Sequence, residues 1–147
     1  GLICSPTNLY ARNKAGKQFV NLNEGSELLK PHAFNPQRAK AIAAVSAHGR
    51  LLVFLLDEMK ELASGGRGVI VMGLERDEKL TGAVVLSGEN LIVNGIGRGG
   101  KATEQRLSAK ELNAYASKRA RKGRQIARNF TPVALSTAGS DAARIAK

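Results

Sequence analysis

Gly65-Gly66-Arg67-Gly68-Val69-Ile70-Val71-Met72 sets a cation-bearing glycine loop directly against a short apolar run. The same layout occurs twice more. Lys14-Ala15-Gly16-Lys17 leads into Phe19-Val20-Asn21-Leu22, and Arg121-Lys122-Gly123-Arg124 leads into Gln125-Ile126-Ala127. The loop glycines Gly16, Gly68 and Gly123 lie 52 and 55 residues apart. Upstream of each loop stand an opening glycine, a short strand and an apolar anchor. These are Gly1, Leu2–Cys4 and Leu9; then Gly49, Arg50–Phe54 and Met59 or Leu62; then Gly100, Lys101–Thr103 and Leu112. A period near fifty residues points to propeller-like or solenoid units that cannot bury their faces alone.

The units read as mainly β. Ala41–Ser46 and Arg50–Leu55 flank Ala47-His48-Gly49, a hairpin turn, and Leu80–Leu86 with Asn90–Val93 flank Ser87-Gly88-Glu89 in the same manner. Val69–Met72 is expected to be a short buried strand, and Phe19, Phe54 and Cys4 to be core residues. Ser108-Ala109-Lys110-Glu111 forms a capping box. It opens either a short helix over 108–120 or a single helical turn followed by a basic loop. The expected division is three units, 1–48, 49–99 and 100–130, and a small, polar tail over 131–147, poorly ordered over Ala134–Lys147.

The 147 residues carry 23 Lys+Arg against 12 Asp+Glu, a net charge of +11. Residues 98–128 alone contribute +8, residues 1–22 contribute +3, and residues 23–97 contribute −1. Such an excess, gathered at glycine loops, points to a polyanion. Glycine lets the main chain approach a phosphate backbone, and flanking cations neutralise it with release of counterions. No recognition-helix pattern and no Cys/His finger is present, so the binding is expected to ignore sequence. The longest aliphatic and aromatic run, Leu51–Leu56, is far shorter than the roughly 20 residues of a membrane helix. The single cysteine, Cys4, excludes an internal disulfide and a cysteine zinc site, and fits a reducing compartment. A chain opening on Gly1 is expected to be a piece of a longer protein.

Enzymatic alternatives are weak. Gly95-Ile96-Gly97-Arg98-Gly99-Gly100 satisfies G-x-G-x-x-G. A dinucleotide site, however, needs an acidic residue about 20 positions on, where Ala116–Lys122 is basic. A turn that aims a cation at phosphate fits this stretch better. His32 and His48 have no acid/base partner in sequence, and Asp57-Glu58 and Glu75–Glu78 read as solvated loops. Catalysis by this segment is not expected. An RNA-binding β module is a further alternative, although only Tyr115 among the six aromatics lies inside the basic region.

Tyr10-Ala11-Arg12-Asn13-Lys14-Ala15-Gly16-Lys17, with the later units in the same order, resembles the C-terminal domain of the bacterial DNA topoisomerase IV A subunit over about residues 1–130. The resemblance implies a β-pinwheel: a ring or crescent of blades whose neighbours exchange strands, and which binds and bends duplex DNA on a basic rim. It implies a type IIA topoisomerase as the parent. The implied partners are duplex DNA, the rest of the A subunit and, in the holoenzyme, the B subunit. ATP and Mg would be used on other domains or subunits, and no cofactor here. The implied location is bacterial cytoplasm, at the nucleoid and not at a membrane. By position, the rim contacts would be Arg12, Lys14 and Lys17; Arg50 and Arg67; and Arg98, Lys101, Arg106, Lys118, Arg119, Arg121, Lys122, Arg124 and Arg128. The related gyrase A protein carries a Gln-basic-basic-Gly-Gly-basic-Gly box. Here Arg98-Gly99-Gly100-Lys101 matches it only in part, which favours topoisomerase IV over a gyrase wrapping domain. About three units are fewer than a full ring needs.

Overall fold

A computed structural model describes residues 1–138. Seven strands form two antiparallel sheets: β1 Ala41–Ser46, β2 Arg50–Leu55, β3 Leu80–Leu86, β4 Leu91–Ile96, β5 Ala102–Leu107, β6 Arg124–Gln125 and β7 Thr131–Thr137. The first sheet runs in the order β3-β1-β2-β6 and the second β5-β4-β7. Strands β1, β2 and β3 recur as β4, β5 and β7, starting 50, 52 and 51 residues later. The period read from the last two glycine loops is therefore a period of blades, whereas the strands expected at Leu2–Cys4 and Phe19–Leu22 are reduced to the single bridges Ile3–Glu61 and Val20–Gly66. The division points 48/49 and 99/100 fall inside the hairpins β1–β2 and β4–β5.

Burial explains the strand sequences. Ala43, Leu51, Val53, Val84 and Leu86 of the first sheet pack against Leu91, Val93 and Leu107 of the second sheet and against Leu112 and Phe130 beside it. Alternate residues of the first sheet, Ile42, Ala44, Leu52, Phe54 and Val85, pack on its other face with Met72, Phe34 and Met59. A sheet covered on both faces needs continuous apolar strands, as Ala41–Ser46 and Arg50–Leu55 have. The second sheet is covered on one face, and β4 and β5 alternate accordingly.

Several expectations need correction. Leu80–Leu86 and the strand that follows it are not a hairpin. β3 pairs with β1, whereas β4 pairs with β5 and β7. Val84, Leu86, Leu91 and Val93 share one apolar cluster, so the link joins two stacked sheets instead of two paired strands. Val69–Met72 is an extended strap, not a buried strand; Met72 is buried, but Ile70 is 67% exposed. Phe54 is core, as expected, while Phe19 and Cys4 are half-buried and Leu9 is 54% exposed. Residues 131–137, expected in the tail, form β7, because β4 offers a free edge to it. Residues 139–147 lie outside the described residues. Of the two readings of 108–120, the single turn is observed: α1 Ala109–Leu112, then a 3-10 turn Asn113–Tyr115. The capping box forms, with the Ser108 N–H donating to Glu111 Oε2 at 2.8 Å and the Glu111 N–H to Ser108 Oγ at 3.3 Å. Beyond it the backbone leaves the helix to reach β2.

That departure is how the units join. The Ser117 N–H donates to the Val53 carbonyl at 2.9 Å, and β6 pairs with Arg50 and Leu51 of β2. The same arrangement links the second unit to the first. Leu62 N–H donates to the Ile3 carbonyl at 2.8 Å, Gly66 N–H to Phe19 at 2.8 Å, and Val69 N–H to Gly1 at 2.8 Å. Gly68 and Gly123 sit at matching points of these joints, with φ of +80° and +78°. A β-carbon there would come within 2.2 Å of the Gly1 carbonyl oxygen and 2.6 Å of that of Leu51. Positive φ and close approach of backbone both require glycine.

The joint also holds a buried ion pair. Glu78, read from sequence as solvated, is 5% exposed. The Arg50 guanidinium donates to both of its carboxylate oxygens and to the Gly73 carbonyl, and the Glu75 N–H donates to Oε2 at 2.9 Å. Burial pushes the Glu78 carboxyl up. Hydrogen bonds from Arg50, the Glu75 backbone and Ser46 outweigh it and lower the pKa from 4.5 to about 2. The charged form is thus favoured in the fold. Its stabilisation is complete above about pH 4.5 and is lost as pH falls through about 2. Urea melts at stepped pH are expected to show this acid loss in the native chain and to show it reduced in Glu78→Gln. At pH 7, Glu78→Gln is expected to lower the unfolding free energy by about 3 kcal/mol, because it leaves Arg50 buried and uncompensated.

Candidate nucleic-acid interface

The fourteen cations expected on a rim fall into distinct settings. Arg50 is withdrawn from it. Its side chain is 14% exposed and committed to Glu78, so it supports the fold and is not placed to meet a ligand. Arg119 is half-buried, and its Nε and Nη1 donate to the carbonyls of Glu58 and Ile70. Both roles depend on partners far away in sequence, so neither is visible in the residues that flank the two arginines.

Two cations are exposed but paired. Lys122 Nζ donates to Glu75 Oε1 at 2.6 Å, and Arg106 Nε to Glu104 Oε1 at 2.6 Å. The hydrogen bond from Lys122, with its charge, lowers the Glu75 pKa. Exposed pairs of this kind contribute about 0–1 kcal/mol, so a phosphate can compete for either cation.

The remaining ten, Arg12, Lys14, Lys17, Arg67, Arg98, Lys101, Lys118, Arg121, Arg124 and Arg128, are at least partly open to solvent. Arg121, Lys122 and Arg124 line one open cleft of about 220 Å³ with Tyr115, Ala116, Ser117 and Gly123. Backbone pairing of Ser117–Ile126 with β2 fixes this loop. Arg67 occupies the same position in the joint before it, next to Gly66, which bonds to Phe19. Lys17 lies over the Phe19 ring, 5.9 Å from its centre. Arg98 lies in the 3-10 turn Arg98–Gly100 that links β4 to β5, and Lys101 follows it. That turn also disposes of the dinucleotide motif. Gly95–Gly100 closes an antiparallel hairpin and enters no α-helix, whereas a pyrophosphate site needs a helix N-terminus. Arg128 precedes β7, and Arg12 and Lys14 lie in the loop after the 3-10 turn Pro6–Leu9.

Tyr115 packs partly against the main core, although it also borders the basic cleft. Tyr10 is 82% exposed and close in sequence to Arg12. No group of His, Cys, Asp and Glu able to hold a metal ion occurs among the described residues. No helix among them is long and apolar enough to cross a membrane.

Residues 41–87, which hold β1, β2 and β3, match the family "DNA gyrase C-terminal domain, beta-propeller". The chain is 31% identical over 140 residues, 90% of its length, to the DNA topoisomerase 4 A subunit of Pseudomonas aeruginosa. It is 34% identical over 132 residues, 86% of its length, to that of Neisseria gonorrhoeae. It spans only 18% and 16% of those two relatives. Among solved structures, the E. coli ParC C-terminal domain superposes with a TM-score of 0.75 at 23% identity, covering 93% of this chain and 56% of that one. A DNA gyrase A C-terminal domain superposes at 0.71 and 17% identity, covering 92% and 46%. The chain has the mainly β, blade-exchanging pinwheel fold of these domains.

The two classes of cation are separable by stability alone. Arg121→Ala and Arg124→Ala are expected to shift unfolding by no more than about 0.5 kcal/mol. Arg50→Ala is expected to cost about 3 kcal/mol or more, because it strands the buried Glu78 carboxylate. Paired urea titrations check this.

Proposed function

We propose that this chain, a β-pinwheel segment related to the C-terminal domains of the topoisomerase IV A subunit and of gyrase A, binds duplex DNA through its exposed cations and does not read sequence. One observation carries the reading. The most basic stretch, residues 98–128 at +8, is folded so that Lys118, Arg121, Arg124 and Arg128 stay open to solvent, while the carboxylate most deeply buried is reserved for Arg50. Phosphate is the ligand that such a surface suits. It is anionic and repetitive, and it accepts hydrogen bonds from guanidinium groups two at a time.

Cations on successive joints would follow a curved surface, so a duplex laid along them would bend. Smooth bending costs about 1–6 kcal/mol over 20–30 base pairs and is offset by added phosphate contacts. In the parent protein, this segment would help a type IIA topoisomerase choose the DNA it passes during decatenation and supercoil relaxation. The B subunit, ATP and Mg would serve the reaction elsewhere, in the bacterial cytoplasm at the nucleoid. The segment itself would be a binding module and not a catalyst. The incomplete match to the gyrase box favours bending over chiral wrapping.

Fluorescence anisotropy with unrelated duplexes over a salt series tests the reading. Affinity is expected to fall steeply with salt, in proportion to the phosphates neutralised. Arg121→Ala with Lys122→Ala is expected to weaken all duplexes alike and to reduce the salt slope by about 2. A change in preferred sequence would point to base readout instead. Competition with duplex RNA and single strands decides the RNA alternative, for which exposed Tyr10, near Arg12 in the chain, would be the stacking platform.

A further inference from the structure

Arg119 stands at the centre of the basic run, yet its Nε and Nη1 are committed to protein carbonyls. Its backbone N–H donates to Glu58 Oε1 at 3.0 Å, its Nε to the Glu58 carbonyl at 2.9 Å and its Nη1 to the Ile70 carbonyl at 2.6 Å. Glu58 and Ile70 both lie between β2 and β3, in the preceding unit. The residues around Arg119 bond to that unit as well. The Ser117 N–H donates to Val53 at 2.9 Å, the Ala120 N–H to Val71 at 3.0 Å, and the Arg121 carbonyl accepts from the Gly73 N–H at 2.9 Å. Ala120 is held at φ +68°, a conformation that strains a non-glycine residue and persists here because its surroundings demand it. The loop bearing the exposed cations is therefore the loop that closes the joint between blades.

We propose that Arg119 is a positioning residue for duplex binding: it fixes Ser117–Arg124 across the joint, so that DNA binding and joint closure form one coupled equilibrium. The proposal rests on the DNA-binding reading above. Any ligand that prefers the closed arrangement of Lys118, Arg121 and Arg124 stabilises closure by its differential affinity. Equally, a loop already closed loses less freedom on binding. Arginine suits the post, because its planar fork reaches the carbonyls of both Glu58 and Ile70. A lysine ammonium is a single point charge and does not reproduce that fork.

Arg119→Lys separates position from charge. The variant keeps the cation, so a direct phosphate contact would leave affinity near that of the native chain. Positioning predicts about a tenfold loss of affinity, with the salt slope unchanged, because the exposed cations are all still present. It also predicts faster amide exchange at Ser117 and Ala120 without DNA, and slower exchange there and at Gly73 when duplex is added to the native chain. Glu58→Ala is the milder companion. Removing an acid should tighten DNA binding if only charge matters, whereas removing the acceptor of the Arg119 N–H should weaken it if position matters. Native affinity and native exchange in Arg119→Lys would overturn the proposal, as would tighter binding in Glu58→Ala. If the native chain bound no duplex, the function proposed above would fall. The exchange measurement would still judge Arg119: faster opening at Ser117 and Ala120 supports its tethering role, and unchanged opening refutes it.

Discussion

The outer edge of β2 governs much of this molecule. β1 covers one side of that strand, and its other side presents unpaired backbone groups, which a folded protein must cover or guard. Here the next unit covers them. The Ser117 N–H reaches Val53, β6 pairs with Arg50 and Leu51, and the Ile126 N–H reaches Gly49 at 2.9 Å. From this need follow the close approach that requires glycine at Gly123 and the departure of the chain from α1 after one turn, and Gly68 meets the Gly1 carbonyl in the same way at the preceding joint. A blade of this kind is completed by its neighbour, so its stability and its place in the array are set by the same bonds.

The charges divide according to that joint. Arg50 and Arg119 group with the other cations on sequence grounds, but each lies where chain crosses chain and finds acceptors there. Arg50 meets a buried carboxylate, and leaving either partner alone would be far costlier than keeping both. Arg119 meets the carbonyls of Glu58 and Ile70, which lie outside the sheet ladders. The cations between and beyond them stay in water, where their field is available to a polyanion. One loop thus serves both as a structural clasp and as the basic surface. Lys122 and Arg106 stand between the classes, each in an exposed pair with a carboxylate that contributes little to stability.

Much of this could be read from the amino-acid order because it is local. The hairpin Ala41–Leu55 follows from two apolar runs around Ala47-His48-Gly49 and is observed with those bounds. The capping box at Ser108 forms as its residues suggest. The readings that failed are those in which a local pattern fits two distant partners equally well. Leu80–Leu86 and Asn90–Val93 look like the arms of a hairpin, but their apolar faces meet across two sheets. Thr131–Thr137 is polar enough for a tail and becomes a strand because β4 has an edge to fill. Glu78 sits among acids typical of a surface loop, and Arg50, 28 positions earlier, holds it inside together with Ser46 and the Glu75 backbone.

Composition and spacing by themselves determined a basic, mainly β repeat of about fifty residues, with glycines where the backbone must turn or pass closely. They did so because charge excess, strand periodicity and positive-φ positions are properties of short stretches. Which unit lends its strand to which, which carboxylate is buried, and which two arginines leave the basic surface were decided only by the tertiary structure. These outcomes depend on backbone and side-chain partners that are distant in sequence and meet only when neighbouring blades close on each other.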